Sequence, residues 1–292
     1  MNVFTIKDLE NLSGIKAHTI RIWEQRYNFL KPGRTETNIR YYCNQELKTV
    51  LNISLLNKCG YKISQIDKMS ELELGHRLLA LSDKASRQEK IVNDLIIHMI
   101  DLDIEQFERV LDQYMLANGV DQSMHQLIFP FLHRIGILWL TNRVHPAQEH
   151  LVTNIIRQKL IVGIDAASSP LKTGKTVLLF MPEGEYHELG LLYVYYLLRS
   201  HGVGVLYLGA DVPLKDLEFV CKFKSPDYLY THLTGIAGNL DLEKFLSQTS
   251  LRIPGVPLIV CGQLARTQLR KIPPGVNFKR SLPEVMEFIA TL

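Results

Sequence analysis

The chain has 292 residues, 46% hydrophobic and 22% charged, which suits a soluble globular protein of two or three domains. No apolar run approaches the roughly 18 residues of a membrane span. The start, MNVFTIKDLENLSG, has early acids and no apolar signal core, so no membrane association and a cytoplasmic location are expected. The net charge of +3 is uneven: residues 1–68 carry eleven Lys/Arg against six Asp/Glu, a basic head on a nearly neutral body, as in a protein that holds nucleic acid. Cys43, Cys59, Cys221 and Cys261 lie far apart with no CxxC pair, which gives neither a zinc signature nor a disulfide framework.

In chain order, FTIKDLENL places Phe4, Ile6, Leu9 and Leu12 near helical spacing, with Thr5 as N-cap. Ser13-Gly14 signals a turn, and IKAHTIRIWEQRY predicts a second short helix with Ile15, Ile20, Ile22 and Trp23 as its apolar positions. Two short helices joined by a glycine turn form the helix-turn-helix pattern, whose second helix enters the major groove. Lys16, His18, Thr19 and Arg21 are then the groove-facing candidates, and Arg26 and Tyr27 at the end of the run are added as DNA-binding candidates. KPGRTETNIRYY reads as a hairpin, a wing whose Arg34, Arg40 and Tyr41 would meet flanking phosphates. CNQELKTVLNISLLNKCGYKISQI continues as two helices separated by Gly60.

The FTIKDLENLSGIKAHTIRIWEQRY core, the wing ending NIRYY and the later CGYKISQI together resemble the DNA-binding domain of the MerR family, placed here at residues 1–72. Within that family, IRIWEQRYNFLKPGRT is closer to the subgroup of light- and cobalamin-responsive regulators. The resemblance implies a double-stranded DNA operator, read as a palindrome by the paired heads of a homodimer or homotetramer.

From Ser70 to about Ser169 the sequence shows helical spacing and no convincing strand. EKIVNDLIIHMI, IEQFERVLDQYMLANG, MHQLIFPFLHRIGILWL and PAQEHLVTNIIRQKLIVGIDAA predict a four-helix bundle over residues 78–168, the last helix opening on Pro146. Nine residues separate Trp139 from Glu149-His150, a spacing that resembles the Trp…Glu-His element in the helical cap of cobalamin-binding regulators. There the tryptophan covers the upper face of the corrin and the Glu-His pair lies beside the upper ligand. Light-sensing members often carry a histidine directly after that tryptophan; this chain has Leu140.

After Lys175 the period changes. KTVLLFM, VGVLYLG, PDYLYTHL, PLIVCG and NFKRS read as strands alternating with HELGLLYVYYLLRSHG, PLKDLEFVCKFKS, LEKFLSQTS, LARTQLRKI and LPEVMEFIATL as helices. This predicts an α/β flavodoxin-like parallel sheet of order 2-1-3-4-5 at residues 172–292, with ligands expected at the carboxyl ends of the strands. EGEYHELG, THLTG and CGQLA fall at the ends of strands one, three and four, which are adjacent in that order. The fold by itself suits a flavin, a nucleotide or no ligand equally. Gly174-Lys175-Thr176 lacks the upstream glycine of a phosphate-binding loop, and HGVGVLYLG holds no dinucleotide fingerprint.

This third resembles the cobalamin-binding domain of methionine synthase, mutases and light-responsive regulators, which carries DxHxxG, SxL and GG at those strand ends. Here Glu185, His187 and Gly190 stand in the first, Thr231 and Leu233 in the second, and Gly262 followed by Gln263 in the third. The resemblance implies cobalamin (adenosylcobalamin or methylcobalamin) as cofactor, His187 as lower axial ligand of cobalt, and Glu185 orienting its ring. It implies a tail groove at Thr231 and the glycines, and a cap from Trp139, Glu149 and His150. The chain as a whole then reads as a transcriptional regulator, not an enzyme. Its oligomeric state and DNA affinity would be controlled by a corrinoid bound between bundle and sheet, with adenosylcobalamin conferring a light response. The alternatives are a regulator whose B12-like domain has lost its cofactor and serves assembly or partner binding, and a corrinoid carrier of an enzyme system.

Overall fold

The computed structural model describes residues 3–140, 143–234, 240–266 and 272–292, with the side chains of Leu140 and Arg266 outside that set. The chain divides into two compact units, Met1–Ile155 and Ile156–Leu292.

In the first unit, α1 (Ile6–Ser13) and α2 (Ala17–Arg26) form the helix-turn-helix. Thr5 caps α1 as expected: its hydroxyl accepts from the Asp8 N–H while the Asp8 carboxylate reaches back to the Thr5 N–H at 2.7 Å. Phe4 lies outside the helix despite its apolar spacing, bridging Tyr42 in antiparallel fashion. Strands β1 (Gly33–Arg34) and β2 (Arg40–Tyr41) pair antiparallel, Arg34 opposite Arg40, and make the wing. Helices α3 (Asn44–Lys58), α4 (Ile63–Ile66) and α5 (Glu71–Leu79) follow. The head buries Phe4, Leu9, Ile20, Trp23, Tyr42, Leu47 and Leu51 in one core.

The helical bundle begins with α6 (Lys84–Asp101) and α7 (Ile104–Ser123), the latter kinked at Gly119. A π-turn at Met124–Ile128 runs into α8 (Phe129–Leu140). Helix α9 (Pro146–Ala166) starts on its proline; its first ten residues belong to the first unit and the rest to the second. Head and bundle share the first unit: Lys58 of α3 pairs with Glu89 of α6 at 2.6 Å, and Asn44 donates to Asp101 at 2.6 Å.

The second unit holds a five-stranded parallel sheet: β3 (Thr176–Pro182), β4 (Gly204–Val212), β5 (Tyr228–His232), β6 (Leu258–Cys261) and β7 (Val276–Lys279). Its order is β4-β3-β5-β6-β7, the expected 2-1-3-4-5. Burial on both faces explains why β3 reads as a continuous apolar run. Helices α10 (Leu189–Ser200), α11 (Leu214–Lys224), α12 (Leu242–Arg252) and α13 (Leu282–Ala290) cover the sheet. Leu178, Phe180, Leu217, Leu229, Leu246 and Val260 form one of its cores. The helix expected at LARTQLRKI is described only as a 3-10 turn at Gln263–Arg266, residues 267–271 being outside the described residues.

Strand ends β5 and β6 are tied where they leave the sheet. The Leu233 N–H donates to the Cys261 carbonyl at 2.8 Å, and the Leu264 N–H to the Leu233 carbonyl at 3.2 Å. Gly262 allows this crossing: its φ is +96°, and a Cβ there would lie 2.3 Å from the Leu233 oxygen. Gly262→Ala should therefore destabilise the protein by about 1–3 kcal/mol, read as a lowered unfolding midpoint in urea.

Candidate functional site

The head presents α2 with Ile20 and Trp23 turned inward. That leaves His18, Arg21, Ile22 and Gln25 on one exposed stripe at helical spacing. Ile22 and Gln25 are missing from the residues singled out by type alone, although the period of the buried pair marks them. Of the other candidates, Lys16 is the N-cap of α2 and pairs with Glu10 at 3.3 Å. Thr19 contacts the His18 ring at 3.3 Å. Arg26 is exposed in the last turn, and Tyr27 stacks on Phe29. On the wing, Arg34 donates to Asn38 at 2.5 Å and Tyr41 is exposed.

Arg40, expected as a phosphate contact, pairs through Nε with Glu24 of α2 at 2.8 Å. Tyr42 donates its phenol to the same carboxylate. The Glu24 side chain is only 6% exposed, so wing and recognition helix are fixed to each other through a nearly buried acid. Burial, with the Glu24 carboxylate beside it, holds the Tyr42 phenol protonated far above its usual range.

In the second unit EGEYHELG runs from the end of β3 to the start of α10. Asp211, at φ +57° in β4, accepts from the Gly184 N–H at 2.8 Å and donates its own N–H to the Glu185 carbonyl at 3.2 Å. Glu185 is buried beneath the loop. Its carboxylate lies 2.9 Å from His187 Nδ1, accepts from the His187 N–H at 3.2 Å, and accepts from the Thr234 hydroxyl at 3.1 Å and N–H at 3.3 Å. Burial pushes this carboxyl up, but the His187 ring and N–H and the Thr234 hydroxyl outweigh it and bring it down to about 2. An ionised carboxylate only accepts, so Nδ1 carries a proton, and in the neutral ring it is then Nε2 that bears the lone pair, the tautomer a metal ligand needs. The His187 side chain is 41% exposed.

Gly190 opens α10 over the His232 ring; a Cβ there would lie 2.6 Å from Nε2. Burial lowers the His232 imidazole to about 4 against the pull of Glu185, so it is neutral at pH 7. Its Nδ1 and the Thr231 hydroxyl are buried without hydrogen-bond partners, while Leu233 packs into the core. Gln263 is exposed at the start of its 3-10 turn. Glu188 binds Arg157 of α9 and accepts from Tyr207 of β4 at 2.7 Å, a long-range set with no motif to announce it. On the bundle, Trp139 is 41% exposed at the end of α8. The Glu149 and His150 side chains lie 3.8 Å apart, His150 being largely exposed. The side chain of Leu140 lies outside the described residues.

These residues fit a corrinoid. An imidazole with a fixed tautomer stands in a strand-end loop, an unpartnered buried hydroxyl awaits a hydrogen bond, and Gly190 and Gly262 keep backbone approachable.

Residues 4–73 match the model of the MerR HTH family regulatory protein, and residues 91–162 match that of the B12 binding domain. The chain is 28% identical over 269 residues to the HTH-type transcriptional repressor CarA of Myxococcus xanthus, covering 91% of this chain and 89% of that one. It is 29% identical over 273 residues to the repressor CarH of the same organism, covering 90% of each. The monomethylamine corrinoid protein of Methanosarcina barkeri aligns with a TM-score of 0.50 at 16% identity, over 70% of this chain and 100% of that one, a likeness of fold. The protein thus joins a MerR-type DNA-binding head to a B12-binding domain. Among the described residues no helix is long and apolar enough to cross a membrane.

Because Glu24 fixes the wing to α2, Glu24→Ala should weaken duplex binding about 10-fold or more although the residue carries no positive charge. Fluorescence anisotropy with a labelled duplex measures this, and an unchanged affinity would show that Arg40 and Tyr42 hold the wing unaided.

Proposed function

We propose that the protein is a cytoplasmic transcriptional regulator whose assembly and DNA affinity respond to a corrinoid, with His187 as the lower axial ligand of cobalt. The observation that carries this reading is the Glu185–His187 pair at the end of the first strand of a 2-1-3-4-5 sheet, in a chain that also bears a winged helix-turn-helix. The two Myxococcus repressors support it, since they match along nearly the whole chain.

In this reading Nε2 of His187 holds the metal and Glu185, itself held by Thr234, keeps the ring in its donor orientation. Thr231 and Gly262 receive the nucleotide tail. Trp139, Glu149 and His150 would contribute the helical cap for the same group. Adenosylcobalamin, if bound, would supply light-sensitive chemistry, and the residues of the cap would be the ones to respond to it. A homodimer or homotetramer pairs two heads on a palindromic operator, and a ligand that favours one assembly shifts DNA affinity by that preference. At the duplex His18, Arg21 and Gln25 face base edges, while Arg34 and Tyr41 lie against the backbone.

Purification with adenosylcobalamin in the dark should leave retained corrin absorbance, and His187→Ala should shift that spectrum to the form without an imidazole ligand. Wild-type protein that retains no corrin would instead favour a cofactor-free assembly module. In a separate titration, Arg21→Ala should lower duplex affinity and relax its sequence preference, while wild-type binding should fall steeply with salt.

A further inference from the structure

The turn between α8 and α9 carries a side chain that neither the DNA-binding motif nor the cofactor motif claims. Arg143 follows Trp139 by four residues, and its N–H donates to the Leu138 carbonyl at 2.9 Å. The residues just after it are firmly seated: Val144 is buried, and Gln148 accepts from the His145 N–H at 2.9 Å and donates to the Ile100 carbonyl at 2.9 Å. Arg143 is therefore held between the last turn of α8, which bears Trp139, and the anchored start of α9, which bears Glu149 and His150.

Its guanidinium reaches into the DNA-binding head. Nε lies 2.9 Å from the Asp8 carboxylate, an ion pair without hydrogen-bond alignment, and an Nη donates to the Val3 carbonyl at 3.2 Å. Asp8 is 2% exposed and already closes the capping box of α1. From these two anchors, two short routes lead to opposite ends of the recognition helix. Along α1, Glu10 accepts from the Ala17 N–H at 3.3 Å and pairs with Lys16, fixing the start of α2. Through the Phe4–Tyr42 bridge, Tyr42 reaches Glu24 near the end of α2, where Arg40 of the wing is also held. The non-covalent links are hydrogen bonds and ion pairs within one compact unit, so displacement of Arg143 moves both anchors together.

We infer that Arg143 is the positioning residue through which the helical cap sets the recognition helix and wing, so that the state of the cap's upper face is transmitted to DNA affinity. The ligand arm of this inference rests on the corrinoid reading above; the contact network does not.

Two measurements test it. In the first, affinity for a duplex enriched from a random pool by the wild-type protein is measured in the dark with and without adenosylcobalamin. The wild-type ratio should fall in the range of about 5- to 150-fold typical of coupled sites. In Arg143→Ala the ratio should drop toward one while corrin absorbance is retained, and Arg143→Lys, which keeps the charge, should restore part of it. A ratio in Arg143→Ala equal to that of wild type overturns the inference.

The second needs no cofactor. Amide hydrogen exchange across residues 17–26 is compared in wild type, Trp139→Ala, Arg143→Ala and the double variant. Trp139→Ala should change exchange in α2, and that change should vanish when Arg143 is also alanine. No change in α2, or the same change in both backgrounds, overturns the inference. A wild type that holds corrin with an affinity ratio of one, or holds no corrin, refutes corrinoid control, and the exchange measurement then decides the Arg143 link alone.

Discussion

A buried carboxylate that must stay charged organises the sensor end of the molecule. Glu185 is removed from water, which by itself favours its neutral acid, yet donors from His187 and Thr234 bring it to about 2. Those donors come from two strand ends, β3 and β5, and Asp211 brings in a third, β4. The carboxylate thus determines the path of the loop, the orientation of the His187 ring and the nitrogen that bears its proton. A shorter acid or a neutral amide at this position would leave some of those groups without a charged acceptor.

The head repeats the device twice. Glu24 and Asp8 are nearly buried acids, each binding an arginine distant in sequence, and each joins segments that the hydrophobic core alone would leave free to pivot. Apolar packing sets which helices touch, whereas these pairs set the angles at which they present side chains. That division of labour suits a regulator, because the pairs depend on direction and can be remodelled without dissolving the core.

What could be read from the sequence follows the reach of its signals. The Thr5 N-cap, the glycine turn after α1, the wing hairpin and the change from helical period to βα alternation all lie within a few residues and were legible. The strand-end position of His187 was legible because the passage from an apolar strand to a helix has a local pattern. Thr234, 49 residues from Glu185, and Arg143, 135 residues from Asp8, have no local signature, since only the folded chain brings them near. Phe4 shows the opposite error: its apolar spacing fitted the helix, but the helix starts only after the Thr5 cap and the Phe4 backbone pairs with Tyr42 instead. Arg40 was placed by charge among phosphate contacts, and nothing short of the fold shows that Glu24 waits for it.

The unpartnered polar atoms at the end of β5 have a consequence for the life of the protein. Thr231 Oγ1 and His232 Nδ1 each forgo a hydrogen bond in a buried place, a cost of about 1–3 kcal/mol apiece against a total stability of only some 5–15. Any ligand group that satisfies them returns that free energy to the folded chain and lowers the fraction that proteases see. The amount of regulator in the cell would then follow the supply of its ligand, through turnover alone and before any DNA is bound.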